Sequence, residues 1–371
     1  MQLKTMVLLT CLCSSSMLKA DFNSLIYDRF SENILNSFGV SGTFLAELKV
    51  KNSFKTNSAE ARWDYFLEKF DSSYEFIPIL KSMMAQAGIP QEFLFLAMAE
   101  SEFSTRAYSP KKASGIWQLM PVTAKQLGLK INDYIDERRD PIKSTQAAIK
   151  YLQFLYKLTG QWYLAAMAYN CGVGRLQKAI KKAQTSDINV LLDDKKKYLP
   201  KETRNYMRMI LSMSVAFNNI DRFKSEDREY LLNRGAMNTL ASVNVKAGTL
   251  LKTIAQGAGI SLSELKKYNR QFRYDFLPPG YKEYTVYIPY EKLVYFKQNF
   301  KEDENPNEMF VLHKVKQGET LTSISKKYKV SIQELKITNN LKNSFLSINQ
   351  KLIVPVIRKD HQKLAQNEVG R

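Results

Sequence analysis

Leu94-Phe95-Leu96-Ala97-Met98-Ala99-Glu100-Ser101 is apolar on every side of a helix until its last two residues. A helix with no polar face belongs inside a protein. Pro90 suits a first helical turn, so Gln91 to Phe103 reads as one buried helix. Glu100 then appears abruptly near its C-terminal end. Burial disfavours a charged carboxylate, and so does the negative end of the helix dipole. Both raise its proton affinity toward the neutral range, which is the condition a general acid needs. The plain alternative is a glutamate at the point where the helix emerges into solvent.

The helical pattern extends to both sides of this stretch. Trp63, Phe66, Leu67 and Phe70 recur at helical spacing, and Ile77, Ile79, Leu80 and Met84 continue up to a stop at Gly88. Pro121 opens a further helix that Gly128 closes. Thr145 to Leu158, Trp162 to Ile180 and Arg204 to Phe217 complete the set. Period-two alternation is nearly absent. Residues 60–225 therefore read as an all-α domain, preceded by a helical extension over 21–59.

The character changes after residue 237. Val245, Lys246, Gly248, Leu251, Ile254, Ser261, Glu264, Leu265, Lys266 and Asn269 recur, at a constant offset of 70, as Val315, Lys316, Gly318, Leu321, Ile324, Ser331, Glu334, Leu335, Lys336 and Asn339. A gapless register of this kind marks an internal repeat. Each copy reads as strand, helix, helix, strand, with Ser261/Glu264 and Ser331/Glu334 as capping boxes that open the second helix. The copies occupy 237–290 and 310–356. Between them, 291–309 includes the charged, proline-bearing Lys301 to Glu308 and reads as a linker, and 357–371 is a polar tail. The expected architecture is multidomain, with an all-α domain followed by small α+β (βααβ) modules.

The chain has 371 residues, 44% apolar and 25% charged, which suits a globular protein with a sizeable core. Its formal charge of +19 points either to polyanionic partners or to a solvated basic surface with no dedicated partner. No zinc-finger, helix-turn-helix or RNA-binding signature accompanies that charge, so nucleic acid is not expected. The two histidines, His313 and His361, lie far from Cys171 and lack ligand spacing, so neither a metal site nor a Ser-His-Asp or Cys-His mechanism is expected. No cofactor is implied. Residues 1–20 read as an export signal, with Lys4 as its positive start, Met6 to Leu12 as its apolar run and Ala20 before the cut. Acylation at Cys11 or Cys13 is the alternative, although Thr10 and Leu12 are poor predecessors. The expected location is the periplasm or cell envelope, with or without a membrane anchor, as a monomer.

Three further motifs follow Glu100-Ser101 in order. They are Gly115-Ile116-Trp117-Gln118-Leu119-Met120-Pro121, Ala168-Tyr169-Asn170-Cys171-Gly172, and Leu199-Pro200-Lys201-Glu202-Thr203-Arg204-Asn205-Tyr206. Together the four resemble the family 1 lytic transglycosylases, specifically their membrane-bound lytic murein transglycosylase D subgroup. The segment Val315-Lys316-Gln317-Gly318-Glu319-Thr320-Leu321 through Ile353-Val354-Pro355 resembles a LysM module, and the first copy resembles a degenerate one.

The resemblance implies a goose-lysozyme-like helical fold over 60–225 and non-hydrolytic cleavage of peptidoglycan between N-acetylmuramic acid and N-acetylglucosamine, giving 1,6-anhydro ends. Glu100 is implied as the catalytic acid and base. Ser101 would orient its carboxyl and Tyr206 would tune its proton affinity. Gln118 and Asn170 would hold N-acetyl groups or stabilise the transition state, beside Met120. Tyr169 and Trp117 would line the sugar cleft, with plain core packing as the alternative. Cys171 stands where the family usually has alanine and is expected to be buried. In the LysM module the resemblance implies glycan contacts from Gly318, Glu319, Thr320, Leu321, Asn339 and Asn340. Two competing readings remain: a hydrolytic muramidase, which needs a second carboxylate, and a peptidoglycan-binding scaffold without catalysis.

Overall fold

A computed structural model describes residues 29–51, 57–73, 75–217, 239–301 and 308–357. The expected export signal, the end of the helical stretch beyond 217, residues 302–307 of the charged segment and the tail beyond 357 lie outside these residues. The chain divides into two compact units, 1–129 with 141–237 and 130–140 with 238–371.

The first unit is helical. Residues 29–37 are helical, and the helices that follow are α1 (Phe44–Lys51), α2 (Asn57–Ser72), α3 (Ile77–Gln86), α4 (Leu94–Ser101), α5 (Pro121–Gln126), α6 (Pro141–Thr159), α7 (Trp162–Cys171), α8 (Val173–Ala183), α9 (Ile188–Leu191) and α10 (Lys201–Ala216). α4 buries Leu94, Phe95, Leu96, Ala97 and Met98, as its uninterrupted apolar run requires. α7 buries every residue from Tyr163 to Ala168 for the same reason. α10 packs on both α4 and α7, and α6 packs on α7. Each large apolar side chain so buried contributes roughly 1.5–3 kcal/mol. α4 is shorter than its sequence suggests. Gln91–Phe93 form a 3-10 turn, and Glu102 and Phe103 both adopt left-handed backbone (φ +54° and +59°), which ends the helix directly after Ser101.

The second unit holds the two repeats. The first consists of β1 (Leu240–Lys246), α11 (Leu251–Ala258), α12 (Leu262–Tyr268) and β2 (Glu283–Pro289), followed by α13 (Leu293–Asn299). The second consists of β3 (Glu308–Lys314), α14 (Leu321–Tyr328), α15 (Ile332–Thr338) and β4 (Lys351–Ile357). In each, the outer strands pair antiparallel, Val243 opposite Val286 and Val311 opposite Val354. Gly248 and Gly318 turn the chain after the first strand with φ +82° and +81°, a conformation that glycine adopts without a Cβ penalty. Ser261 and Ser331 accept the amides of Glu264 and Glu334, at 3.0 Å in both cases.

Two stretches depart from the expected boundaries. Residues 291–309 include α13, whose Phe296 joins the core of the first repeat with Phe300 packed beside it, so this part is not a free linker. Residues 130–140, inside the expected all-α stretch, belong to the second unit. There Ile135 enters the core of the first repeat, buried Asp136 pairs with Arg138 at 2.8 Å, and the Tyr287 hydroxyl donates to the Asp140 carboxylate. Tyr134 reaches the second repeat, its hydroxyl oxygen accepting the Leu312 amide at 2.7 Å.

Candidate active site

Glu100 occupies the last turn of α4, and its Oε1 accepts the hydroxyl of Tyr206 from α10 at 2.7 Å. Burial raises its pKa from the ordinary 4.5 to about 7; the Tyr206 hydrogen bond opposes the rise and the negative charge of Glu202 adds to it. The site thus holds a carboxyl that exchanges its proton near neutrality. Tyr206 is buried, and burial followed by the Glu100 charge pushes its own pKa well upward, so its hydroxyl stays a donor. Tyr169 is raised by the same two causes and donates to the backbone carbonyl of Trp117 at 2.6 Å.

The remaining expected residues take more varied positions. Ser101 does not orient Glu100. Its hydroxyl donates to the carbonyl of Ile116 at 2.7 Å, tying the end of α4 to the loop that carries Gln118. Gln118 has φ +44° and donates its amide to the Gly115 carbonyl at 2.9 Å. A non-glycine residue in this region costs about 1–3 kcal/mol, a strain that clusters at functional sites. Asn170 accepts the Thr203 hydroxyl at 2.8 Å, which joins the Ala-Tyr-Asn motif to the start of α10. Met120 is exposed beside α5. Cys171 is half-buried, and burial raises its thiol pKa.

Trp117 does not line a cleft. Its side chain is 0% exposed, and its indole N–H donates to Thr145 Oγ1 at 2.8 Å. Thr145 in turn donates to the Pro141 carbonyl at 2.6 Å. The large ring fills the space between the Gln118 loop and α6, so the core-packing alternative holds for this residue.

Residues 78–192 match the family described as the Transglycosylase SLT domain. This part of the chain is similar to a transglycosylase SLT domain. Residues 239–304 match the LysM-like domain of lytic transglycosylase MltD, and residues 313–355 match the LysM domain. The chain is 30% identical over 304 residues to the membrane-bound lytic murein transglycosylase D of Escherichia coli K12, covering 78% of this chain and 65% of that protein. It is 27% identical over 173 residues to the soluble lytic murein transglycosylase of the same strain, covering 44% of this chain and 26% of that protein. Among solved structures, the 70-kDa soluble lytic transglycosylase in complex with bulgecin A is 25% identical, with a TM-score of 0.36, over 43% of this chain and 26% of that one. The chain therefore spans just under two thirds of the first of these relatives.

Beside the SLT motifs lie three residues that the sequence reading passed over, Tyr65, Lys69 and Tyr151. Glu102, two residues after Glu100, accepts the Tyr65 hydroxyl and lies 3.7 Å from the Lys69 ammonium. That hydrogen bond raises the Tyr65 pKa to about 12. Glu102 is thus turned toward α2 by its left-handed backbone. Tyr151 of α6 sets its ring 5.4 Å from that of Tyr169. Its periodicity alone made it one more helix residue, and only the fold brings it to the site. No cluster of three or more His, Cys, Asp or Glu residues able to hold a metal occurs among the described residues.

In the LysM module, several residues expected to contact glycan serve its structure. Leu321 is in the core. Thr320 caps α14 by accepting the Ser323 amide at 3.1 Å. Glu319 accepts the Lys316 amide and faces His313 Nε2, both at 2.7 Å. Asn339 donates to the Leu335 and Ile353 carbonyls and accepts the Ile353 amide, which fastens α15 to β4. Asn269 makes the same set of bonds to Leu265 and Tyr287 in the first repeat. The repeated asparagine is therefore a latch. Its side-chain amide is occupied in both copies. Gly318 and Asn340 remain at turns with positive φ, and Asn340 is exposed.

Proposed function

We propose that this chain is a lytic transglycosylase of peptidoglycan. It cleaves the β-1,4 bond between N-acetylmuramic acid and N-acetylglucosamine without water, for remodelling of the cell wall. The observation that carries this reading is Glu100, a half-buried carboxyl whose loss of solvent raises its pKa to about 7, hydrogen-bonded to Tyr206, on the SLT domain. Its nearest acidic neighbour in sequence, Glu102, is engaged by Tyr65 and Lys69. One acid suffices for the chemistry. Protonated Glu100 gives its proton to the bridging oxygen, the bond from that oxygen to the muramic C1 breaks, and positive charge develops at C1 as an oxocarbenium. The resulting Glu100 carboxylate, held by Tyr206, takes the proton of the same sugar's C6 hydroxyl. O6 then closes on C1, giving the 1,6-anhydro ring and restoring the acid. The nucleophile is already part of the substrate, which gives it a high effective concentration.

Gln118 and Asn170 are assigned to the N-acetyl groups, and the LysM repeats to the glycan strand. The +19 charge favours the free carboxylates of peptide stems, an attraction that salt screens. The N-terminal segment and the similarity to a membrane-bound relative support a place in the periplasm, free or membrane-associated. No helix among the described residues is long and apolar enough to cross a membrane.

One observation favours a second reading, a hydrolytic muramidase. The charge of Glu202 reaches Glu100, so a second carboxylate lies near the acid. Digestion of purified sacculi followed by mass spectrometry of the released muropeptides separates the two. Anhydro-ended products that vanish with Glu100→Gln support the transglycosylase. Products heavier by one water support the muramidase. Binding of sacculi with no release leaves a scaffold.

A further inference from the structure

Trp117 is enclosed in the core and presents no face to a sugar, yet an aromatic surface leads away from the acid by another route. Tyr169, whose hydroxyl donates to the Trp117 carbonyl at 2.6 Å and whose proton affinity is raised first by burial and then by the charge of Glu100, sets its ring against Tyr151, and Tyr151 lies nearly parallel to Phe154, with centroids 6.4 Å apart and planes 14° apart. Phe154 is 52% exposed, and Tyr151 is its only ring neighbour among the described residues. Tyr151, Phe154 and Leu158 follow one another at helical spacing on α6, and Leu158 is 51% exposed. α6 buries a different face through Ala148, Leu152 and Leu155. Phe154 and Leu158, beyond the half-buried Tyr151, are thus not needed to hold the helix in the fold, and leaving them in water forgoes the gain that apolar burial brings.

We propose that Tyr151 and Phe154 form a platform on which a pyranose ring of the glycan strand stacks, beyond the sugar whose bond is cleaved. This rests on the peptidoglycan reading above. Tyr151 sets its ring against Tyr169, which is close enough to Glu100 to feel its charge, so the stripe starts in the neighbourhood of the acid. A β-1,4-linked pyranose carries its polar groups around its edge and offers a face of C–H groups, which matches the exposed, uncharged ring of Phe154 set nearly parallel to Tyr151. A stem carboxylate would instead call for a cation, and among the described residues no cation sits over the ring of Tyr151 or Phe154. The role is binding and length selection, with no part in proton transfer.

The test uses the full chain, with murein glycan strands fractionated by length as substrate. Phe154→Ala is expected to raise KM about threefold to tenfold on long strands and to leave kcat unchanged. The penalty is expected to disappear on the shortest strands that are still cleaved, and Phe154→Trp is expected to restore the wild-type KM. Three results would overturn the platform: unchanged KM at every length, an equal loss at every length together with a lowered melting temperature, or a change in self-association measured by sedimentation. Binding of long strands to the Glu100→Gln protein, with and without Phe154→Ala, separates this idea from the one it rests on. If wild type releases no anhydro ends but Phe154→Ala still weakens strand binding, the platform stands and the reaction does not.

Discussion

Tyr206 and Glu100 lie 106 residues apart in sequence and meet at 2.7 Å, hydroxyl to carboxylate. The bond pulls against the burial that raises the Glu100 pKa, and the balance of the two sets a value of about 7. Removing the hydroxyl shifts that balance upward. Tyr206→Phe is expected to move the alkaline limb of the kcat/KM profile up by roughly one pH unit, since a hydrogen bond to a charged group contributes about 1.5–3 kcal/mol. The maximal rate should fall as well, because the carboxylate between the two proton transfers loses its support. A profile with its limb unmoved would mean that Glu100 is not the titrating group.

The same raised pKa has a consequence for stability. Between the ordinary 4.5 and about 7, the folded protein holds a proton on Glu100 that the unfolded chain releases. Stability from this group is therefore full below about 4.5 and is lost as pH rises through about 7. Glu100→Gln does not titrate. It should match wild type near pH 4 and exceed it above pH 7, by up to about 3 kcal/mol. Urea unfolding of both proteins across that range measures the difference. Parallel curves would contradict the burial assigned to this carboxyl.

Trp117 gives a contrasting expectation. Its ring is enclosed and its N–H is bound by Thr145, so its loss should be felt as instability. Trp117→Ala is expected to cost about 3–5 kcal/mol. Trp117→Phe, which keeps most of the volume and frees one hydroxyl, is expected to cost about 1–3 kcal/mol and to leave KM for glycan near wild type. A large rise in KM for the phenylalanine variant, with its melting temperature intact, would return Trp117 to the substrate cleft.

In the second repeat, Asn339→Ala removes three hydrogen bonds and leaves the backbone groups of Ile353 without their partner. A loss of roughly 2–3 kcal/mol in that module is expected. Hydrogen exchange at the Ile353 amide reads it directly, as faster exchange in the variant. If glycan binding is lost while that exchange stays slow, Asn339 contacts sugar.

Much of this was legible in the sequence. The all-round apolar stretch before Glu100 located the buried helix, and the three motifs that follow it favoured a catalytic acid over a glutamate emerging into solvent. The constant offset between Val245–Asn269 and Val315–Asn339 revealed two copies of one fold, since each copy must bury the same face. What remained hidden depends on long-range contact. Trp117 sits in a motif whether it meets sugar or Thr145, and the motif reads the same in both cases. Asn339 looked like a ligand because its latch closes on a strand fourteen residues later. Ile135 and Tyr134 gave no sign that residues 130–140 pack with the repeats, and the charged run after Phe300 disguised α13 as linker. Phe154 looked like one more apolar helix position until the fold left it half in solvent.

The central claim is that Glu100 serves as acid and then base while the substrate supplies its own nucleophile. Digestion of sacculi in oxygen-18 water tests this most directly. The proposed reaction predicts anhydro ends whose muramic C1 carries no label, lost entirely with Glu100→Gln. Reducing ends that carry one atom of oxygen-18 at C1 would show water as the nucleophile, and would assign the second proton transfer to another carboxylate, with Glu202 the first to examine.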